Sequence, residues 1–296
     1  MAEIITSDMI RKLCPERPED GHKGTFGTAL IVAGSRYMTG ALTLAAIAAL
    51  RSGCGMVRVF APEECLMPVS INCPCALLSS WGATDTESIR RCNSYLPSVK
   101  AAGIGPGLDE SDSRSLALIE HLILNAKNIV IDAGALNIMA KNRERVIPLL
   151  SRRVDDMGLA PAVVTPHLGE FKRLIRHEGD MSFDELIDLS CQFALQNKCV
   201  AAVKTHKTIV SDGSGKCYIN TAGNNGMAKG GSGDVLTGLV TGLLAQGMEP
   251  FDAAVSGVYL HAASGDLAAL DIGKRAMIPE DLPGYFDEAF AGCGWE

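Results

Sequence analysis

Asn220-Thr-Ala-Gly-Asn-Asn-Gly-Met-Ala-Lys-Gly-Gly-Ser-Gly-Asp-Val-Leu-Thr-Gly238 is the stretch on which the reading of this chain turns. A glycine-rich run ends in one carboxylate, Asp234. Apolar residues follow at Val235, Leu236, Leu239, Val240, Leu243 and Leu244, the spacing of an amphipathic helix. Gly231, Ser232 and Gly233 therefore fall where a helix begins and its first amides lack backbone partners. Those amides and the helix dipole favour an anion. Asp234 stands beside them, placed to take a proton, and an anion hole next to a general base is what phosphoryl transfer to a hydroxyl needs. The plainer reading makes Asp234 only the N-cap of that helix. Against it, the run holds more glycine than a cap requires, and each glycine costs conformational entropy. Gly238 and Gly242 lie one turn apart inside the helix, where each costs about 1 kcal/mol relative to alanine. That cost predicts a close backbone approach on their face. No Walker A pattern occurs.

Strands and helices alternate through the rest of the chain. Short apolar or alternating runs predict strands over 28–33, 56–60, 75–80, 101–105, 128–132, 162–165 and 200–204. Helices are expected over 40–52, 86–99, 111–126 and 183–196, the last with Ser182 as N-cap. Residues 208–220 carry Asp212-Gly213-Ser214-Gly215, a hairpin turn signal, and helices dominate from Gly231 onward. This alternation implies an α/β fold, a mostly parallel sheet with helices on both faces. Such sheets bind ligands at the carboxyl ends of their strands. Gly34, Gly105 to Gly107, Asp132, Thr165 to His167 and Lys204 all fall there. No low-complexity linker or internal repeat divides residues 1–296, which read as one domain.

With 296 residues and 47% hydrophobic content the chain can bury a large core. Its net charge is −7 and no block of Lys and Arg stands out, which argues against nucleic acid as a partner. The longest apolar stretch, 41–50, is too short to span a bilayer, and the acidic N-terminal segment has no apolar signal core. A cytoplasmic protein with reduced thiols and no membrane partner is expected. Cys54, Cys65, Cys73 and Cys75 lack the paired spacing of a zinc site and read as buried apolar thiols.

Taken together, the motifs resemble those of the ADP/ATP-dependent NAD(P)H-hydrate dehydratases, whose fold is ribokinase-like. The 220–238 stretch carries most of the likeness. Gly21-His22-Lys23-Gly24-Thr25-Phe26-Gly27, Gly34-Ser35, Thr39-Gly40-Ala41, Gly103-Ile104-Gly105-Pro106-Gly107-Leu108, Asp132-Ala133-Gly134-Ala135-Leu136-Asn137 and Thr165-Pro166-His167-Leu168-Gly169-Glu170 follow in the family's order. The resemblance runs from about Gly21 to Ala269. It implies repair of nicotinamide cofactors: a nucleotide phosphorylates the ring hydroxyl of NADH hydrate or NADPH hydrate in its S form, phosphate leaves, and the ring double bond returns. The donor is ADP in most bacterial members and ATP in eukaryotic ones, and the sequence leaves that choice open. Mg²⁺ is expected with the phosphoryl transfer, although no motif fixes its ligands. The dehydratase-like motifs begin by residue 21, so the resemblance also implies a stand-alone dehydratase, with hydrate epimerisation supplied by a separate epimerase. A homo-oligomer, a homotetramer in bacterial members, is implied as well.

Carried over residue by residue, the resemblance makes Asp234 the catalytic base. Ala41, Gly107, His167 and Asp234 become substrate contacts. Lys204, Thr205, His206, Lys207, Thr208 and Gly233 become nucleotide contacts. The family's Lys-Gly-x-x-Thr here has Thr205 for the glycine, and its Thr-Pro-His-Pro-Gly-Glu has Leu168 for the second proline. Glu170 is expected to complement a helix dipole, Asp132 to tie down the loop at Asn137, and Lys229 to add charge near the phosphate site. Two other readings fit the same residues: a ribokinase-like kinase acting on a vitamin precursor, and a non-catalytic nucleotide sensor. The first would leave a stable phosphorylated product. The second would bind without turnover.

Overall fold

The computed structural model describes residues 2–295. In chain order the elements are β1 (Glu3–Ile4), α1 (Ser7–Arg11), β2 (Thr28–Val32), α2 (Thr39–Arg51), β3 (Met56–Ala61), α3 (Leu66–Asn72), β4 (Leu77–Ser80), α4 (Asp85–Tyr95), β5 (Ala101–Ile104) and α5 (Ser113–Asn125). They continue with β6 (Ile129–Ile131), α6 (Ala133–Lys141), α7 (Arg143–Val146), α8 (Pro148–Asp155), β7 (Val163–Val164), α9 (Leu168–Ile175), α10 (Phe183–Asn197) and β8 (Val200–Val203). The hairpin β9 (Ile209–Ser211) and β10 (Cys217–Ile219) then leads to α11 (Ser232–Ala245), α12 (Pro250–Asp271) and α13 (Phe286–Gly292).

All ten strands join one sheet in the order β1-β10-β9-β8-β7-β6-β5-β2-β3-β4. Pairing is parallel from β4 through to β8, and only β9 runs against its neighbours β8 and β10. The central strands β2, β5, β6, β7 and β8 are buried throughout, as strands covered on both faces must be. One core lies under α1, α2, α3, α11, α12 and α13. The other lies under α4 to α10. Ser182 caps α10 as expected, its hydroxyl accepting from the Glu185 amide. The helix expected over 86–99 ends at Tyr95 and gives way to a short 3-10 turn that contains Pro97, a residue without an amide to continue the ladder. Among the described residues no helix is long and apolar enough to cross a membrane. All ten cysteines are free; Cys54, Cys65 and Cys73 are buried as expected, but Cys75 is exposed.

The helix after the glycine-rich run departs from its expected amphipathic form. Every residue of α11 from Val235 to Ala245 is buried, because α2 and α12 cover the sides that the sheet does not. Gly238 and Gly242 are what permit this. A Cβ at Gly238 would lie 2.1 Å from the Ala45 carbonyl oxygen, and one at Gly242 would lie 1.9 Å from Ser52 Oγ. The glycine cost read from the sequence is therefore the cost of bringing α2 and α11 together nearly backbone to backbone.

Candidate active site

Five strands deliver residues to one end of the sheet. Gly34 and Gly107 follow β2 and β5, Asp132 ends β6, Thr165 to His167 follow β7, and Lys204 follows β8. α11 meets this edge with its N-terminus. Its N-cap is Gly231 at φ 107, a left-handed conformation that favours glycine. Asp234 is therefore the third residue of the helix and not its cap, and no side chain caps this end. The plainer reading of Asp234 fails because the turn is built from backbone alone. Among the described residues the amides of Gly233 and Asp234 find no acceptor, which leaves a helix N-terminus ready for an anion.

Around that end stands a group of carboxylates with one cation among them. Asp132 is 1% exposed. Its Oδ1 accepts from Lys204 Nζ at 2.6 Å, and its Oδ2 accepts from the buried Thr237 hydroxyl at 2.7 Å. Thr237 lies one turn along α11 from Asp234, so Asp132 ties β6, β8 and α11 together. Gly233 sits directly over this pair: a Cβ there would come 3.1 Å from Lys204 Nζ and 3.5 Å from Asp132 Oδ2. The Asp234 carboxyl is pushed up to about 7, first by burial and then by the charge of Asp132; Glu170 adds to the rise and Lys204 opposes it. Burial and then Asp132 also raise Glu170 above the ordinary carboxylate range. A carboxyl group poised near neutrality next to free amides and an ammonium can take a proton from a hydroxyl whose oxygen attacks a bound phosphoryl group.

His167 caps α9. Its Nδ1 accepts from the Gly169 amide at 3.0 Å and the Glu170 amide at 3.3 Å, and Glu170 Oε2 accepts from the His167 amide at 2.8 Å. This reciprocal pair gives Glu170 a more definite place than the dipole role expected of it. With Nδ1 engaged, the neutral ring carries its proton on Nε2, which points toward Glu170 Oε1 at 3.4 Å. The His167 side chain is 54% exposed and the Glu170 side chain 6%, so the histidine faces the entrance and the glutamate the interior. Ala41 and Gly107 are also brought together. Gly107 has φ 64, and a Cβ there would lie 2.7 Å from the Met38 carbonyl oxygen and 3.1 Å from the Ala41 Cβ. Main chain thus forms the wall between β2 and β5.

Of the five residues from Lys204 to Thr208, only Lys204 reaches the carboxylates. Thr205 Oγ1 donates to the Lys207 carbonyl at 2.7 Å and accepts from the Lys207 amide, while the Thr208 hydroxyl donates to the Thr205 carbonyl. Thr205, which stands for the family's glycine, thus folds the loop on itself. His206 and Lys207 lie outside it against Phe183.

One expectation is overturned. Asp132 does not touch Asn137, which bonds instead to Glu110 and Arg173. The Lys229 ammonium donates to the Arg275 and Met277 carbonyls, which orient it without neutralising its charge. One support had no signal in the sequence. Asp266 on α12 accepts from the Gly223 amide at 2.8 Å and from Asn224 Nδ2 at 2.9 Å, pinning the start of the glycine-rich run.

The family profile described as NAD(P)H-hydrate dehydratase matches residues 29–286. The chain is similar to the ADP-dependent (S)-NAD(P)H-hydrate dehydratase of Bacillus subtilis, with 32% identity across 94% of both chains. It is also similar to the bifunctional NAD(P)H-hydrate repair enzyme of Moorella thermoacetica, at 36% identity; there the match takes in 94% of this chain and spans about half, 52%, of the relative. Among solved structures, the ADP/ATP-dependent NAD(P)H-hydrate dehydratase of Bacillus subtilis co-crystallised with ATP/Mg²⁺ superposes with a TM-score of 0.82 at 28% identity, covering 99% of each chain. A ribokinase-like superfamily protein of Enterococcus faecalis V583 shares the fold at a TM-score of 0.78 and 23% identity.

Proposed function

The chain belongs to the NAD(P)H-hydrate dehydratase family, and from that premise we propose that it repairs hydrated nicotinamide cofactors, one domain doing so at the carboxyl edge of its sheet. Its substrates are the S forms of NADH hydrate and NADPH hydrate, and its phosphoryl donor is ADP or ATP. One observation carries the reading: Asp234, its carboxyl near neutrality, lies beside the unpartnered amides that open α11 and close to Lys204.

The ring hydroxyl binds at Asp234, which takes its proton as the oxygen attacks the terminal phosphorus of the donor. The O–P bond to the shorter nucleotide breaks, releasing AMP from ADP or ADP from ATP. Lys204 and the amides of Gly233 and Asp234 hold the phosphoryl oxygens as charge develops on them. The phosphorylated hydrate then loses phosphate with the carbon–oxygen electron pair, and a proton leaves the neighbouring ring carbon to restore the double bond. His167, Ala41 and Gly107 line the approach, and Thr205 to Thr208 border the nucleotide. Mg²⁺ fits this site as an ion carried on the nucleotide. Among the described residues no three His, Cys, Asp or Glu side chains are arranged to hold an ion by themselves, and Mg²⁺ is commonly held by phosphates, waters and few carboxylates. Bound there, it neutralises phosphate charge. A cytoplasmic setting and a separate epimerase complete the proposal.

The test mixes the protein with NADH hydrate, Mg²⁺ and either ADP or ATP and follows the near-ultraviolet absorbance of the reduced nicotinamide. Recovery with one nucleotide supports repair and identifies the donor. Nucleotide consumption with a stable phosphorylated product and no recovery would make the protein a kinase.

A further inference from the structure

α6 and α9 both start at the active-site edge, α6 just after Asp132 and α9 just after His167, and both run away from it. A groove of about 630 Å³ opens between them, within the size range of small-ligand sites. Four of its lining residues are cations, Lys141, Lys172, Arg173 and Arg176, against the acids Glu110 and Glu178. This excess of positive charge stands out on a chain whose net charge is −7.

Two of the cations, Lys141 and Arg173, are tied into one network. Glu110 takes Lys141 at 2.6 Å through one oxygen and Asn137 Nδ2 at 2.9 Å through the other. Asn137 Oδ1 in turn accepts from Arg173 Nη2 at 2.9 Å and Nε at 3.2 Å. This chain of bonds fixes the guanidinium while its Nη1 has no acceptor among the described residues. Nη1 lies 3.6 Å from where a Cβ on Gly169 would stand, and the His167 ring flanks that same position. Arg173 is thus at the groove's inner end, beside the reaction site. Arg176, ion-paired on the exposed surface with Glu144 at 3.0 Å, closes the outer end. The eight residues of α9 separate it from His167, nine steps or about 13 Å at 1.5 Å per residue, a span comparable to that between the two ribose ends of an extended dinucleotide.

We propose that this groove binds the adenosine half of the hydrated dinucleotide, that Arg176 and Lys141 receive its 2′-phosphate, which favours NADPH hydrate over NADH hydrate, and that Arg173, nearer the reaction site, faces its 5′-phosphate. The assignment rests on the repair reading above. Guanidinium groups suit a terminal phosphate because their paired donors match its oxygens. The nucleotide donor does not compete for the groove, since it is held at Lys204 and the start of α11.

Two measurements test the proposal. In steady-state assays of Arg176→Gln and Lys141→Gln, the ratio of kcat/KM for NADPH hydrate to that for NADH hydrate is expected to fall at least tenfold; a ratio within twofold of the unmodified protein's overturns the proposal. The second measurement needs no turnover. With the donor site saturated by ADP, adenosine 2′,5′-bisphosphate is titrated calorimetrically into the protein and into Arg173→Gln. Binding that weakens at least tenfold in the variant supports the groove, even if no hydrate is turned over and the repair reading has failed. Absent binding, or binding indifferent to the substitution, overturns the groove while leaving the repair reading to its own assay.

Discussion

Two cations, one wholly buried and one half-buried, lie at opposite ends of the strands, and they are handled in opposite ways. Arg153 on α8 has no exposed surface, and its guanidinium donates to three main-chain carbonyls, those of Ala160, Ile123 and Lys127. Burial lowers its pKa to about 10, so it stays charged at neutral pH. Its partners are fixed dipoles, none of which titrates. At the other edge, Lys204 sits among Asp132, Glu170 and Asp234, one cation among three carboxylates. A charge satisfied by neutral dipoles is finished structurally. A cluster with acids in excess holds one of them close to taking up a proton at neutral pH. The contrast separates a charge that staples loops together from charges arranged for chemistry, although both cations are hydrogen-bonded.

The largest effect should come from Asp234→Asn. It keeps the shape and removes the proposed base, and turnover should fall on the order of a thousandfold or more in the absorbance assay. The same variant checks the other side of the contrast. The raised carboxyl favours the folded state when protonated, so its contribution to stability is present at about pH 4 and is lost as pH climbs through 7. Asp234→Asn should therefore melt higher than the unmodified protein at pH 8, and the gap should close near pH 4. An active variant, or a gap that ignores pH, breaks the comparison.

Arg153→Met should do the reverse. Orphaning three carbonyls should cost roughly 3 kcal/mol or more in denaturant unfolding, while kcat of the protein that remains folded stays put. A catalytic loss without a stability loss would show that the two edges are not separate. Next in size is Gly233→Val, whose side chain would crowd Lys204 Nζ and Asp132 Oδ2; KM for the nucleotide should rise tenfold or more with little change in melting temperature. The smallest and most pointed change is Asp132→Asn. With one negative charge gone, the Asp234 carboxyl should titrate lower, and the acid limb of the kcat/KM profile should move to lower pH. An unmoved limb would mean that burial alone sets the pKa of Asp234.

Much of the scaffold was legible in the sequence because it is written in local patterns. The buried strands, the Ser182 cap and the strand-end positions of Gly107, Asp132, His167 and Lys204 follow from runs, turns and punctuation. So does the crowding at Gly238, since an internal helix glycine requires a packing reason. What stayed hidden depends on distant pairs. Asp132 meets Lys204 across 72 residues and Thr237 across 105, and nothing near Asp132 in the chain announces either partner. Arg153 looks like any other surface arginine of a polar helix until Ile123 and Lys127 close over it. The two-residue strand β1 pairs with β10 across most of the chain, too short to leave a period. The N-cap reading of Asp234 missed by three residues because Gly231 caps with its backbone, which leaves no side-chain mark.

The close contact of α2 with α11 has a consequence for time as well as for shape. The two helices carry two walls of the proposed site, Ala41 on one and Asp234 on the other, and Gly238 and Gly242 press them together with only the small side chains of Ala48 and Ser52 between. Helices in such close contact have no room to slide past each other, so the two walls keep their spacing through a catalytic cycle. Entry of the hydrate and exit of the repaired cofactor then fall to the strand-end loops, the segments 34–38 and 204–208 among them. The slow step of the cycle, if it is one of motion, belongs to those loops and not to the helices that bear the walls.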